Sequence, residues 1–328
     1  MDLAEIGGTP LVELDLGVAP TVYGKAEWFN LGSMPHGGGS VKARIAKAML
    51  DAAEARGDLD GNPTVLEASS GNTGAAVARI GTERGYDVEI VAPDDAGRGK
   101  LDAVRDAGAE VRTVSSDRGY DAFVEKRDRL AAEFPDRYHK LDQYSDPANP
   151  AVHAATTAVE IHRQTDGEVT AFVGGMGSAG TVVGVGTALS DRGVSVHGYE
   201  PADSAHDIAG LKAMHVPEKF VPANYDPAVV DDNHVVDTPE AHEFARLLRE
   251  RHADEIPIRD AGQWSEDAVR DHLRVDGEFL VGPSSGGCAA LIDRLDRRGA
   301  FDADDVVVFP LADRGDRYPD RELWSDVL

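Results

Sequence analysis

The chain has 328 residues, of which 41% are hydrophobic and 6% aromatic; this is enough apolar material for a sizeable core, and the length favours two domains. Asp and Glu number 59 against 33 Lys and Arg, and the formal charge of −26 argues against nucleic acid or a membrane surface as a partner. The single cysteine, Cys288, excludes an internal disulfide.

The first segment that carries chemistry is Gly37-Gly38-Gly39-Ser40-Val41-Lys42-Ala43-Arg44, a glycine run opening a helix through Ile45, Met49 and Ala53 with Ser40 as its cap. Lys42 sits in the first turn, near the positive end of the helix dipole and close to Arg44. Both disfavour an ammonium, and a neutral lysine amine is the nucleophile that condenses with an aldehyde. The plainer reading is an exposed surface lysine. A nucleotide-binding phosphate loop is excluded, because Ala43 stands where Ser or Thr is required.

A strand is expected over 63–68 and a helix over 72–85, joined by Ser69-Ser70-Gly71-Asn72-Thr73. The hydroxyls and N–H groups of that loop suit a carboxylate, although an ordinary polar loop reads the same way. A strand (87–92), a helix (99–107), a strand (110–114) and a helix within 120–133 follow. Residues 142–150 are rich in turn formers and mark the best domain junction.

Residues 169–189 carry no charge and are long enough to span a bilayer, but they contain six glycines. A strand (169–173), a glycine turn and a helix (179–190) explain them better. The turn holds Gly175, Gly177 and Gly180 in G-x-G-x-x-G spacing, with Glu200 at the end of the next strand (195–199). Alone, this pattern reads as an NAD(P)-dependent oxidoreductase, with Glu200 on the ribose.

Further on come a helix over 238–252 with Thr238 as N-cap, a strand (278–281), a helix (285–298) and a strand (305–309). The link Gly282-Pro283-Ser284-Ser285-Gly286-Gly287 offers a hydroxyl to a ring nitrogen, or else a capping serine. Cys288 reads as a small core thiol, and Asp313 lies in an apparently solvated turn. No histidines stand at metal-ligand spacing along the chain, so no metal site is expected. Strands this apolar, alternating with helices, imply an α/β fold with parallel sheets covered on both faces.

The motifs GGTPL (7–11), SVKAR (40–44), EASSGNTG (67–74), DQYSDPANPAVH (142–153), GSAGT (177–181) and GPSSGG (282–287) occur together in that order. As a set they resemble the fold-type-II, tryptophan-synthase-β-like family of pyridoxal 5'-phosphate enzymes, in its cysteine synthase (O-acetylserine sulfhydrylase) branch. Departures are Ala43 in place of the family's acid, a lengthened stretch over 31–39 and the altered run at 94–100. The resemblance implies two doubly wound domains, each with a mostly parallel sheet flanked by helices. The smaller, mobile one is residues 44–149, and the larger is 1–43 plus 150–328.

The resemblance also implies roles. Lys42 is the Schiff-base lysine and proton carrier. Asn72, Gly177, Ser178, Ala179, Gly180, Thr181 and Ser284 contact the cofactor, with the glycine turn on its phosphate and Ser284 on its ring nitrogen. Ser69, Ser70, Thr73 and Gln143 hold the substrate carboxylate, and the family places the region of Asp313 near the cofactor, which makes Asp313 a further, weaker candidate. The implied reaction is β-replacement on O-acetyl- or O-phosphoserine by sulfide or another thiol, giving L-cysteine through an α-aminoacrylate. Within the family the alternative is β-elimination of the desulfhydrase or dehydratase type. A homodimer is implied. The dispersed acid and the split of eight lysines to twenty-five arginines fit a halophilic source, and no secretory signal opens the chain, so a cytoplasmic location is expected.

Overall fold

The computed structural model describes residues 6–33, 39–118, 122–217, 220–319 and 321–328. Gly37, Gly38 and most of the lengthened 31–39 stretch fall outside them. A hairpin of β1 (Leu11–Glu13) and β2 (Thr21–Ala26) opens the described chain, followed by α1 (Lys42–Arg56). Next come β3 (Thr64–Ala68), α2 (Asn72–Glu83), β4 (Val88–Pro93), α3 (Arg98–Asp106), β5 (Glu110–Val114), α4 (Ala122–Glu133) and β6 (Tyr138–Lys140). These four strands form one all-parallel sheet in the order β5-β4-β3-β6.

Helix α5 (Ala148–Val152), a π-helical turn at His153–Thr157 and α6 (Ala158–Gln164) then lead to β7 (Ala171–Gly175), α7 (Gly180–Leu189) and β8 (Ser195–Pro201). The chain continues through β9 (Asp232–Val236), α8 (Thr238–Arg251), β10 (Ile258–Asp260), α9 (Glu266–Leu273), α10 (Pro283–Asp296) and β11 (Val306–Leu311). The second sheet has seven strands in the order β10-β1-β2-β11-β7-β8-β9. It is parallel from β2 to β9, and β1 pairs antiparallel with both its neighbours.

Side chains alternate across each strand, so each sheet can bury both faces. In the large sheet Phe172, Val196 and Val308 pack with Val182, Val183 and Val185 of α7, while Val173, Val307 and Phe309 pack with Leu248 of α8 and Ala289, Leu291 and Ile292 of α10. In the small sheet Val65 and Ile90 meet Ile45, Met49, Val77 and Ile80 of α1 and α2, and Leu66 and Val91 meet Phe123 and Leu130 of α4. Each such apolar side chain removed from water contributes about 1.5–3 kcal/mol.

Three local expectations are corrected. Residues 278–281 form no strand, only two isolated bridges, Val275↔Glu278 and Val281↔Arg314. The cap of α8 is Asp237, whose carboxylate accepts the Glu240 N–H at 2.8 Å; Thr238 Oγ1 instead accepts the Asp207 N–H at 2.9 Å. Helix α1 takes no side-chain cap at Val41, although Ser40 Oγ accepts the Lys42 N–H at 3.2 Å. The uncharged 169–189 stretch divides into β7, a turn and α7, and no helix among the described residues is long and apolar enough to cross a membrane.

Candidate active site

In parallel sheets ligands collect beyond the carboxyl ends of the strands. Here β3 runs into Ser69–Thr73, β7 into Gly175–Ala179 and β11 into Ala312 and Asp313. The loops meet at a cavity lined by Lys42, Asn72, Gly177, Ser178, Ala179, Gly180, Thr181 and Ser284, together with Asp313 and Cys288. A second, larger cavity shares Lys42 and Asn72 with the first and adds Ser69, Ser70, Thr73 and Gln143. The structure thus brings together all twelve residues singled out from the sequence, with Lys42 on both cavities.

Burial lowers the Lys42 amine to a pKa of about 8, and the Asp313 charge opposes that shift. The cause differs from the expected one. Arg44, one residue beyond Ala43, turns away into a buried ion network and does not act on Lys42. Its guanidinium bonds Glu27 (Nε–Oε2 2.7 Å) and Glu160 (Nη2–Oε2 2.7 Å), and Lys25 joins Glu160 at 2.8 Å. Thr9 Oγ1 donates to Glu27 at 3.0 Å and the Gly8 N–H to Glu160 at 2.9 Å. The GGTPL and SVKAR segments are therefore joined behind the helix that carries Lys42. Arg44 and Lys25 hold the Glu160 carboxyl well below the usual carboxylate range, against the opposing effect of burial.

The turn before α7 is built for an anion. Ala179 takes a left-handed φ of +64°, and the first N–H groups of α7 lie where a helix has no internal acceptors. A Cβ on Gly180 would lie 1.9 Å from Asn149 Oδ1 and one on Gly177 2.2 Å from Gly210 O, so neither position has room for a side chain. Asn149 Nδ2 donates to Ser178 Oγ (2.9 Å) and Gln143 O (2.7 Å). Thr181 Oγ1 meets His153 Nε2 at 3.1 Å, and burial lowers His153 to a pKa of about 3, so that imidazole is neutral.

Of the two serines in the first turn of α10, neither is the N-cap; Gly282 holds that position. Ser285 Oγ accepts the Ala312 N–H at 3.2 Å and donates to Pro310 O at 3.4 Å, tying α10 to β11. That leaves Ser284 to line the cavity, positioned by the Tyr199 hydroxyl, which donates to its carbonyl at 2.6 Å. Thr73 Oγ1 donates to Gln143 Oε1 at 2.8 Å, linking the Ser69–Thr73 loop to Gln143.

Sequence reasoning missed how Asn72 is held. Its Nδ2 donates to Asp313 Oδ2 at 2.5 Å and its Oδ1 accepts from Arg317 at 2.9 Å. The Tyr318 hydroxyl also donates to Asp313. Asp313 is thus a buried acid, not part of a solvated turn; burial raises its pKa, and its Oδ1 has no hydrogen-bond partner. Lys100 also lines the second cavity; it lies over the Tyr318 ring at 4.5 Å, and burial lowers it to about 8. Partners this distant in sequence leave no local signal.

The dinucleotide reading fails at Glu200. Its carboxylate accepts from the His215 N–H (2.8 Å) and from Asn233 Nδ2 (2.7 Å), so both oxygens are occupied within the protein.

A family model described as pyridoxal-phosphate dependent enzyme matches residues 3–253. Cysteine synthase of Aquifex aeolicus is 32% identical over 333 residues, covering 98% of this chain and 91% of that protein. Cysteine synthase B of Escherichia coli is 35% identical over 318 residues, covering 95% and 92%. The crystal structure of O-ureido-L-serine synthase superposes with a TM-score of 0.82 at 28% identity, covering 99% of this chain and 95% of that one. The donor set suits the cofactor: a low-pKa amine for an aldehyde, a side-chain-free helix N-terminus for a phosphate and a hydroxyl for a ring nitrogen.

Proposed function

Because the chain belongs to the pyridoxal-phosphate-dependent enzyme family, we propose that it makes L-cysteine from an activated L-serine, O-acetyl or O-phospho, by β-replacement with sulfide or another thiol. The relatives named cysteine synthase, aligned over nearly the whole chain, support this substrate class. The observation that carries the mechanism is one amine, Lys42, shared by a cavity with an anion cradle and a cavity with a carboxylate-facing loop.

Pyridoxal phosphate, when bound, supplies an electron sink for the pair left on the substrate Cα. The residues divide the remaining work. Lys42 tethers the cofactor between turnovers and, when released, takes the Cα proton and later returns it. The N–H groups of Gly177–Thr181 hold the phosphate, and Asn72, fixed by Asp313 and Arg317, faces the phenolic oxygen. Ser284 would offer its hydroxyl to the ring nitrogen, a partner suited to chemistry that expels a group from Cβ. Ser69, Ser70, Thr73 and Gln143 bind the substrate carboxylate. Residues 44–149, which contain the whole four-stranded sheet, close over the rest and exclude water during turnover.

The reading extends to a homodimer, as the family resemblance suggests, in the cytoplasm of a salt-adapted cell, the salt adaptation supported by the dispersed charge of −26. Its unfolding midpoint then rises between low and molar KCl. The activity is tested with holoenzyme and O-acetylserine or O-phosphoserine, with and without sulfide. The expected result is cysteine formed only with sulfide. Pyruvate and ammonia released at the same rate in both conditions would replace this reading with β-elimination.

A further inference from the structure

The large sheet carries a second group of chemistry-bearing side chains at its edge. Strands β8 and β9 pair in parallel with His197 opposite Asp232 and Tyr199 opposite His234. Alternation along each strand puts His197, Asp232 and His234 on one face of the sheet. One ligand atom from each, all three within 4.8 Å of one another, can face a common point. The two imidazole rings lie 5.9 Å apart between centroids, at 42°. Thirty-five residues separate His197 from Asp232 in the chain, so no spacing rule on the sequence detects the group.

We propose that His197, Asp232 and His234 bind one divalent transition-metal ion of the zinc or nickel type, at a site separate from the cofactor cavity. His197 is only 9% exposed and its Nδ1 is buried with no hydrogen-bond partner. His234 Nε2 is likewise buried and unpartnered. A buried polar atom left unsatisfied costs about 1–3 kcal/mol, and a ligated ion offers such nitrogens a partner. Burial lowers the pKa of both histidines, so each imidazole is neutral with a lone pair to give at neutral pH.

Asp232 is exposed, which supplies both an anionic ligand and an entry path from solvent. Two imidazoles and a carboxylate are a nitrogen-rich set that selects zinc, nickel or copper over magnesium or calcium, with a fourth place for water. Ligand atoms around a tetrahedral ion with bonds of about 2.0–2.1 Å lie about 3.4 Å apart, so small rotations of the side chains complete the site. Arg294 lies near His234 but is engaged with Val235 O (2.9 Å) and Glu240 (3.3 Å). The net charge of −26 favours cation capture. None of the three residues lines either active-site cavity; Asp232 opens β9, His234 is its midpoint and His197 lies in the first half of β8, so none sits at the carboxyl end of its strand. The ion would fasten edge strand β9 to its neighbour.

The test uses untagged holoenzyme freed of metal by a chelator and titrated with Zn2+ in a calorimeter, with Co2+ as a spectroscopic probe. The expected result is one equivalent of Zn2+, and visible Co2+ bands of four-coordinate type. His234→Gln and Asp232→Asn should each weaken binding by more than about tenfold, with turnover unchanged. Both residues lie on an edge strand, so the variants should fold, and their circular dichroism checks this. Absence of saturable Zn2+ binding, or wild-type stoichiometry and affinity in both folded variants, would overturn the assignment.

Discussion

The two sides of the α1 N-terminus hold one lysine each, and burial lowers both to a pKa of about 8. Behind the helix, Lys25 meets Glu160 at 2.8 Å and donates to Thr9 O, inside the network that contains Arg44 and Glu27. In front, the Lys42 amine has no hydrogen bond among the described residues and faces both cavities. The two amines share a proton affinity, but only one is available. A lowered pKa raises the neutral fraction of a lysine; geometry decides whether it is a nucleophile or a buried tie. Both sides depend on the same short helix start, so a firm back allows a free front.

The comparison can be broken most severely at the front. Lys42→Ala should lower β-replacement turnover by more than about a thousandfold while the folded protein keeps its secondary structure, measured by steady-state assay beside circular dichroism. At the back, Arg44→Ala leaves Glu27 buried without its guanidinium and should cost about 3–5 kcal/mol in denaturant unfolding. Next in size is the cradle: Gly180→Ala forces a Cβ against Asn149 and should weaken cofactor binding about tenfold or more, read by fluorescence titration of the apoprotein. The smallest effect is Thr73→Val, which removes the bond to Gln143 at about 1 kcal/mol and should raise KM about fivefold with kcat little changed.

The two lysines also give a pH signature. Each binds its proton less tightly folded, at about 8, than at the ordinary 10.5. Between those values the unfolded chain holds more protons, so the lysine contribution to stability rises as pH rises through that window. Urea midpoints measured from pH 8 to 10 should show that upward slope, and Lys25→Met should flatten part of it.

Much of this was legible in the sequence, for a physical reason. The strands at 64–68, 88–93 and 306–311 are short apolar runs with β-branched residues, too short for a helix, and 171–175 is an apolar run closed by glycines, so each reads as a buried parallel strand. Lys42, the Ser69–Thr73 loop and the Gly177–Thr181 turn are local motifs, each a strand-to-helix junction. What stayed hidden was short or distant. Strands of three residues, such as Leu11–Glu13 and Tyr138–Lys140, show too little alternation to read, and β9 opens with Asp232 and Asn233. Asp313 meets Asn72 across most of the chain, and Arg44 reaches Glu160 on another helix. Such pairs and such burial exist only after folding, which is why the sequence points to a lowered pKa for Lys42 but not to burial as its cause.

The central claim is that Lys42 alone captures the cofactor aldehyde, although Lys25 and Lys100 share its lowered pKa. Borohydride reduction of the native holoenzyme, followed by peptide mapping, tests it most directly. The expected result is a single pyridoxyl tag on Lys42. A tag on Lys100, on Lys25 or on no lysine would contradict the account.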